Sequence, residues 1–352
     1  MTSVTVRPSA TTLLEKHPNL RLRDILDTLP RSVYEINPLK AWSRVLLSVV
    51  AVVASYALLA IAPWYLLLPA WFLTGTALTG WFVIGHDCGH RSFSRKNWVN
   101  DLVGHIAFLP LVYPFHPWRL LHNHHHRYTN NMDEDNAWLP FTNEIWDESP
   151  GWLKFIYTHM RGRFWWLASI AHQGKLHYTW NQFEGKKRDQ FRFSVLFTII
   201  TAAIAFPVMF YYLGAWGVVK FWLMPWIGYH FWMSTFTVVH HTVPEIPFKF
   251  SDEWNEAAAQ LAGTVHCDYP KWVEVLCHDI NVHVPHHLST GIPSYNLRAA
   301  YAVIKENWQE YLYETEFSWE LMKKITDECH LYHPEDNYTS LEDYKRGHYN
   351  RF

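Results

Sequence analysis

The feature that most constrains this chain is a run of 41 residues, Val45 to Gly85, with no Asp, Glu, Lys, Arg or His. As one α-helix the run would extend about 60 Å, roughly twice the thickness of the hydrocarbon core of a bilayer. Pro63 disfavours a continuous helix, so the run predicts two membrane crossings that reverse near Ala62-Pro63-Trp64.

A second uncharged run, Phe193 to Val219, predicts another hairpin that turns at Gly214–Gly217 and returns to about Val239. We therefore predict an all-α integral membrane protein with four transmembrane helices arranged as two hairpins. The predicted spans are 45–62, 64–85, 193–213 and 216–239.

The placement of the basic residues predicts the orientation. Of the 30 Lys and Arg residues, only Lys220 lies near a hairpin tip. By the positive-inside rule both termini should be cytoplasmic, together with the N-terminal segment 1–40 and the regions 86–192 and 240–352. We expect 1–352 to form one domain, in which the last two regions make a cytoplasmic helical cap.

Two further segments are apolar, but one is too short and the other too charged to be a membrane span. Leu102–Phe115 is too short to cross and contains Pro110 and Pro114, so we interpret it as re-entrant or interfacial. Trp152–Ala171 mixes tryptophans with basic residues, a composition typical of a helix in the headgroup region.

Composition excludes several classes of protein. The net charge of −2 does not favour a nucleic-acid-binding surface. The four cysteines form no CxxC pair, which argues against a disulfide scaffold and a thiolate zinc finger. The first 40 residues lack the apolar stretch of a signal peptide, so we expect none.

Histidine is concentrated in three short clusters, which we call the histidine boxes. The first has the form HxxxH and the other two have the form HxxHH; their repeated histidines are His86 and His90, then His122, His125 and His126, then His283, His286 and His287. On a helix, residues three and four apart share one face. The three histidines of the second box therefore converge, whereas His124 points roughly opposite. In the third box Pro285 is tolerated if a helix begins near Val284.

Eight neutral imidazoles on one side of a membrane are too many for one tetrahedral zinc and suit two metal ions. Imidazole binds Zn, Cu, Fe and Ni, so ligand type alone does not name the metal. Metal-bound histidines usually donate their other N–H to a carboxylate or carbonyl, and Asp87, Asp279 and Asn281 are candidates for that role. The remaining histidines have an ordinary surface or core interpretation: His105, His116, His159, His172, His177, His330, His333 and His348.

The boxes give the chain a specific likeness. The strings Gly85-His86-Asp87-Cys88-Gly89-His90-Arg91-Ser92-Phe93, Trp118 to His126, and His283 to Leu288 resemble the membrane fatty acid desaturases, the three-histidine-box di-iron proteins. The likeness covers about Leu29 to Tyr332 and is strongest to the cyanobacterial Δ12 (ω-6) acyl-lipid desaturases.

The resemblance implies an O2-dependent enzyme that converts an oleoyl chain (18:1 Δ9) of a membrane glycerolipid to a linoleoyl chain (18:2). It implies two iron ions as cofactor, O2 as co-substrate, and a thylakoid or plasma membrane location in a cyanobacterium-like cell. The sequence shows neither a fused haem domain nor a Cys-ligated cluster motif, so electrons must come from a separate carrier, for which the family implies ferredoxin. Arg91, Arg95, Lys96 and Arg127 are candidate docking charges for it, or they contact lipid phosphates.

The resemblance also implies a ninth ligand, His241. Family members have a His followed by Thr and, two residues later, Pro, which matches His241-Thr242-Val243-Pro244. His240 has no such match and lies about 100° away around a helix.

Two alternatives remain open from the residues. Related boxes occur in acyl hydroxylases and in desaturases that act at other positions. A membrane metal-binding or transport protein is the alternative outside enzymes, and it predicts polar residues at mid-bilayer. His230 is the obvious polar residue there, and it is typical either of a satisfied bundle histidine or of an acyl tunnel.

Overall fold

The computed structural model describes residues 10–347, so His348 and the C-terminal Phe352 lie outside it. Within that range the chain is mostly helical. The helices are α1 Ala10–Lys16, α2 Leu22–Leu26, α3 Pro38–Ile61, α4 Leu67–Gly89, α5 Asn97–Phe108, α6 Phe115–Arg127, α7 Asn143–Glu148, α8 Gly151–Arg161, α9 Ala168–Leu176, α10 Gly185–Val218, α11 Met224–His241, α12 Glu256–Ala262, α13 Lys271–Leu276, α14 His283–Leu288, α15 Leu297–Trp308, α16 Trp319–Glu328 and α17 Leu341–Lys345. The strands are β1 Val265–Asp268, β2 Tyr313–Glu316, β3 Leu331–His333 and β4 Asn337–Thr339.

Three helical stretches of the described chain are long and apolar enough to cross a membrane: Pro38–Ile61, Trp64–Gly89 and Gly185–His241. The first two are separated at Ala62 and Pro63, as the sequence predicts. They extend beyond the predicted spans because polar residues continue the helices at the ends away from Pro63.

The third stretch folds back on itself at Gly214. This residue has φ 66° and ψ −178°, a conformation that glycine adopts without a steric penalty. The rings of Phe206 and Trp222 lie 4.5 Å apart, although a straight helix would separate these positions by about 24 Å. The chain therefore reverses within the predicted turn, and α10 and α11 form the second hairpin. A π-helical turn, Val219–Leu223, leads into α11.

Helices α4 and α11 form the centre of the bundle. They approach so closely at Gly75 and Gly228 that a Cβ atom on Gly75 would lie 2.5 Å from the carbonyl carbon of Gly228. Leu78, Phe82, Tyr229 and Trp232 are buried beside this contact. The two helices that end in histidines are thus held in a fixed register.

The segment after the first box dips towards the far end of the bundle and returns. Helix α5 runs inwards, a 3₁₀ turn over Leu109–Leu111 reverses the chain, and α6 runs back. The carbonyls of Pro110 and Leu111 accept hydrogen bonds from the indoles of Trp222 (3.0 Å) and Trp226 (2.8 Å), near the start of α11. The segment is thus a helical hairpin whose turn packs against the start of α11, and its re-entrant or interfacial position stays a prediction.

Two expectations need correction. The polar half contains two small sheets, so the chain is not all-α: β1 pairs with β2 in parallel and β3 pairs with β4 antiparallel. The segment 152–171 is not one helix, because α8 ends at Gly162 and α9 begins at Ala168. The strands form because their backbones pair with a second strand. The long helix is interrupted at Gly162, which follows the last residue of α8.

Candidate metal centre

Nine histidines converge at the polar end of the bundle. Helix α4 carries His86 and ends at His90; α6 carries the second box; α11 ends at His241; and the short α14 carries the third box. Helix α14 begins at His283, one residue before the predicted start. Pro285 is in its first turn, where the missing N–H costs no helical hydrogen bond.

The histidines form two groups. In the first, one ring nitrogen of each member lies within 4.8 Å of all the others; its members are His86, His90, His122, His126 and His286. His125, His241 and His287 meet the same criterion in the second group. His283 joins this second group as its fourth member through one contact, since its Nε2 lies 2.9 Å from the Nε2 of His241.

The two groups adjoin each other, because the rings of His126 and His287 stack at 4.1 Å. Several buried ring nitrogens here have no hydrogen-bond partner, among them the Nε2 atoms of His90, His286 and His287. Buried polar atoms are rarely left unpaired in a native structure. A set of five imidazoles beside a set of four, with unpaired nitrogens directed inwards, fits a pair of metal ions.

The imidazoles are held in the form that a metal ion requires. Burial lowers the pKa of His90, His122 and His126 well below the usual 6.5, and the neighbouring imidazoles lower it further. The same causes act on the pKa of His283, His286 and His287. Neutral imidazoles can donate lone pairs to a metal at neutral pH.

A cavity begins at these histidines and extends into the bundle. It contains about 970 Å³ of space not filled by atoms, part of it open to solvent. Its walls are mainly apolar and aromatic, and Phe82, Val83, Trp118 and Phe236 line the part next to the cluster. The histidine groups therefore adjoin a largely apolar cavity.

Comparison with known protein families agrees with this geometry. The family model described as fatty acid desaturase matches residues 62–319, which include every histidine of the two groups. The chain belongs to the fatty acid desaturase family. Its resemblance to the Δ12 acyl-lipid members is confirmed by curated relatives. An sn-1 oleoyl-lipid 12-desaturase of a Picosynechococcus species is 80% identical over 98% of this chain and 100% of the relative.

Other relatives extend this similarity. An sn-1 oleoyl-lipid 12-desaturase of Anabaena variabilis is 57% identical over 94% of this chain and 95% of its own length. The chloroplastic omega-6 fatty acid desaturase of Spinacia oleracea is 52% identical over 92% of this chain and 72% of its own length.

Four of the clustered histidines have a side-chain acceptor at the outer nitrogen, and Nδ1 of His283 lies 3.4 Å from the backbone carbonyl of Ile280. Nδ1 of His86 lies 3.4 Å from the carboxylate of Asp87, the one acceptor here that the sequence had suggested. The other three were not anticipated: His125 donates to Asp135 (2.7 Å), His90 to Asn123 (2.8 Å) and His287 to Gln260 (3.1 Å). Asp135 lies ten residues after His125 and could have been found as a nearby carboxylate, whereas Gln260 gives no sequence signal.

For Asp279 and Asn281 the expectation needs correction. Asp279 pairs with Arg44 (3.0 Å) and Arg298 (2.7 Å), and Asn281 donates to the carbonyl of Cys267 and to Glu274.

The neighbouring histidines that the sequence set apart have other surroundings. His124 is 37% exposed and hydrogen-bonds to the carbonyl of Glu134. His240 belongs to neither group; it is buried, stacks on Phe236 and lines the cavity. His230 hydrogen-bonds to Ser169 (2.8 Å) and also lines the cavity. That the nine histidines bind metal ions stays a prediction. Their geometry divides them into a group of five and a group of four.

Proposed function

We propose that this protein is an acyl-lipid desaturase that introduces a cis double bond at Δ12 of a lipid-bound oleoyl chain, giving a linoleoyl chain. The observation that carries the proposal is the position of the histidine groups at the end of an apolar cavity. The relatives that match nearly the whole chain are named oleoyl-lipid 12-desaturases. Their names support Δ12 as the position of the new double bond.

The proposed cofactor is a pair of iron ions. His86, His90, His122, His126 and His286 would hold one, and His125, His241, His283 and His287 the other. The irons would supply the O2-dependent chemistry that removes hydrogen from an unactivated methylene, for which side-chain acids and bases are too weak. In the overall balance two hydrogens leave adjacent carbons, and with two further electrons and two protons they convert O2 to two waters.

The chain's own residues position the substrate and keep water away. Phe82 and Trp118 form one side of the cavity at the cluster, and Phe236 and Ile280 belong to the opposing elements. Their aromatic and aliphatic surfaces favour methylenes over water. Asp135, Asn123 and Gln260 accept the outer N–H groups and so orient the imidazole nitrogens inwards.

The proposed electron donor is a ferredoxin that docks on the cytoplasmic face. Among the candidate docking charges, Arg91 is paired with Asp101 at 2.8 Å, whereas Arg95, Lys96 and Arg127 are exposed. The exposed basic groups suit an acidic carrier. Arg91 is better explained as a structural partner of α5.

The proposed topology has four crossings, with α3, the Trp64–Gly89 stretch, α10 and α11 as spans. Both termini and the histidine groups would face the cytoplasm, and a thylakoid or plasma membrane would hold the protein. The chain reversal at Gly214 and the distribution of basic residues support this arrangement.

The test is expression with ferredoxin in a host rich in oleoyl lipids, followed by mass spectrometry of fatty-acid methyl esters. We expect an 18:2 Δ9,12 product. A hydroxylated chain, or a new bond at another position, would reject the Δ12 assignment. If the purified protein contains stoichiometric iron but no fatty acid is altered under these conditions, the metal-binding alternative would be favoured.

A further inference from the structure

We infer that electrons enter the protein at Trp254, on the outer side of the second histidine group, and that Thr129 and His287 connect this tryptophan to the group. The partner that docks there is the electron carrier, a ferredoxin that delivers one electron at a time from an iron–sulfur cluster. The inference rests on the proposed function, because a reaction that converts O2 to two waters consumes two electrons from outside the acyl chain.

A continuous chain of contacts joins Trp254 to a histidine of the second group. The indole Nε1–H of Trp254 donates to the backbone carbonyl of Thr129 at 3.0 Å. The hydroxyl oxygen of the same threonine lies 3.0 Å from Nδ1 of His287. Electron transfer slows exponentially as a gap widens, and covalent and hydrogen bonds bridge a gap better than empty space does. The two contacts and the covalent bonds of Thr129 therefore form a short route from the indole to the imidazole.

Burial changes along this route from one end to the other. Trp254 is half-buried and lines a groove of about 890 Å³, part of it open to solvent, to which Leu14 and Pro247 also contribute. Thr129 and His287 are buried. A partner in the groove thus reaches the indole without displacing any part of the histidine groups.

The inner end of the route is firmly held. The hydroxyl of Thr129 donates to the backbone carbonyl of His125 at 2.9 Å. Gln260 Oε1 lies 3.1 Å from the same Nδ1 of His287 that Thr129 contacts. Gln260 belongs to α12, which begins two residues after Trp254. These fixed neighbours keep the length of the electron route constant from one turnover to the next.

The surface beside Trp254 includes one of the basic groups that the sequence suggests for docking. Arg127 is exposed, and its guanidinium lies over the ring of Tyr128 at 5.4 Å. The ring of Tyr128 lies 6.2 Å from that of Trp254. Asp252 and Glu253 precede Trp254 and carry the opposite charge. An acidic carrier is therefore expected to approach from the side of Arg127.

The electron balance defines what the route must carry. In each transfer the reduced iron–sulfur cluster of the carrier loses one electron and is oxidised, and one ferric ion of the proposed pair becomes ferrous. Two transfers supply the two electrons of one turnover, and the two protons come from water. Trp254 and Thr129 are unchanged by the transfer, because they only provide the bonded path across which the electron passes.

The test compares Trp254→Leu with the unmodified full chain, purified with iron. Reduced ferredoxin is mixed with the ferric protein without O2, and the absorbance of the ferredoxin cluster reports its oxidation. The rate at saturating ferredoxin should fall at least tenfold in Trp254→Leu. Iron content and resistance to a chelator should be unchanged, because Trp254 contacts none of the nine histidines directly.

The matched control is Trp319→Leu. Trp319 is 68% exposed on α16, and the ring that it contacts is that of Phe317, at 5.7 Å. Its replacement removes a similar exposed ring without touching the route, so the rate of ferredoxin oxidation should not change. A small reduced viologen dye, which needs no docking surface, should reduce Trp254→Leu as fast as the unmodified protein. Equal slowing with the dye would show that the substitution alters the metal centre, and the inference would then be wrong.

Thr129→Val examines the inner contact separately. It keeps the carbonyl that accepts from Trp254 but replaces the hydroxyl beside His287 by a methyl group. Oxidation of ferredoxin should slow by a smaller factor than in Trp254→Leu, since a van der Waals contact remains. If Trp254→Leu does not accumulate, Trp254→Phe replaces it and should also slow the reaction, because it lacks the N–H that bonds to Thr129.

Two results are decisive against the inference and the proposed function, respectively. Ferredoxin oxidation at the unmodified rate by both the Trp254 and Thr129 variants would place the electron entry elsewhere. Failure of the proposed function would show differently, as an unmodified protein that ferredoxin reduces but that alters no acyl chain when O2 is admitted.

Discussion

His240 and His241 are adjacent on α11 but have different neighbours. His241 lies 3.4 Å from His125 and 2.9 Å from His283 between ring nitrogens. The His240 ring packs on His283 at 4.3 Å and stacks on Phe236, but neither of its ring nitrogens has a hydrogen-bond partner among the described residues. The difference follows from the rotation of about 100° per helical residue.

His241→Ala should therefore lose bound iron and desaturation, because it removes one of four nitrogens from the second group. His240→Ala should keep its iron. Metal analysis of the purified variants, paired with product analysis, checks this. Equal and mild effects of the two substitutions would remove His241 from the ligand set.

Asp135→Asn tests the carboxylate behind His125. The side chain of Asp135 is fully buried and also accepts from the backbone N–H of Asn130, so it is well fixed. Loss of its charge should weaken metal binding about 10–100-fold, measured by competition with a chelator. Asp133→Asn is the control, since that carboxylate instead accepts from the backbone N–H of Ser251 at the surface. Similar metal affinity in both variants would argue against an orienting role.

At the scale of elements, α4 is the helix on which the other parts of the site depend. Its Gly80 touches the carbonyl of Leu276 at the end of α13, shortly before the third box; a Cβ on Gly80 would lie 1.9 Å from that oxygen. The close approach sets how near α14 comes to α4.

Gly80→Ala should thus displace α13 and cost about 1–3 kcal/mol of folding free energy, with reduced iron content. Gly174→Ala in α9 is the control, because its Cβ would meet nothing within 4 Å; it should be neutral or more stable by up to about 1 kcal/mol. Thermal unfolding in detergent measures both. A Gly80→Ala protein as stable as the control would show that α13 yields without cost.

At the scale of the whole molecule, the membrane orientation is the main untested feature. A reporter that works only in the cytoplasm should be active when it is fused after Phe352. The same reporter inserted at Gly214 should be inactive, whereas a reporter that works only on the far side of the membrane should be active there. The reason is the concentration of Lys and Arg outside the hairpin tips. Activity of the Phe352 fusion exclusively on the far side of the membrane would refute the proposed topology.

The local features of the chain were accessible from the sequence. The uncharged runs, Pro63 and Gly214 predicted two hairpins, because span length and turn preference depend on neighbouring residues. The spacing of the second box predicted that His122, His125 and His126 would converge and that His124 would not, because helical rotation is the same in any fold. The two small sheets were missed. β1 and β2 pair residues far apart in sequence, and β3 and β4 have only three residues each, too few to show a strand pattern.

Only the tertiary structure decided which side chains contact each other across the molecule. The five-plus-four grouping, the hydrogen bond from His287 to Gln260 and the pairing of Asp279 with Arg44 and Arg298 join distant parts of the chain. Helical periodicity sets which residues share a face of one element, but the packing of the elements sets which faces meet, and that packing depends on contacts such as Gly75 with Gly228 that no local pattern encodes.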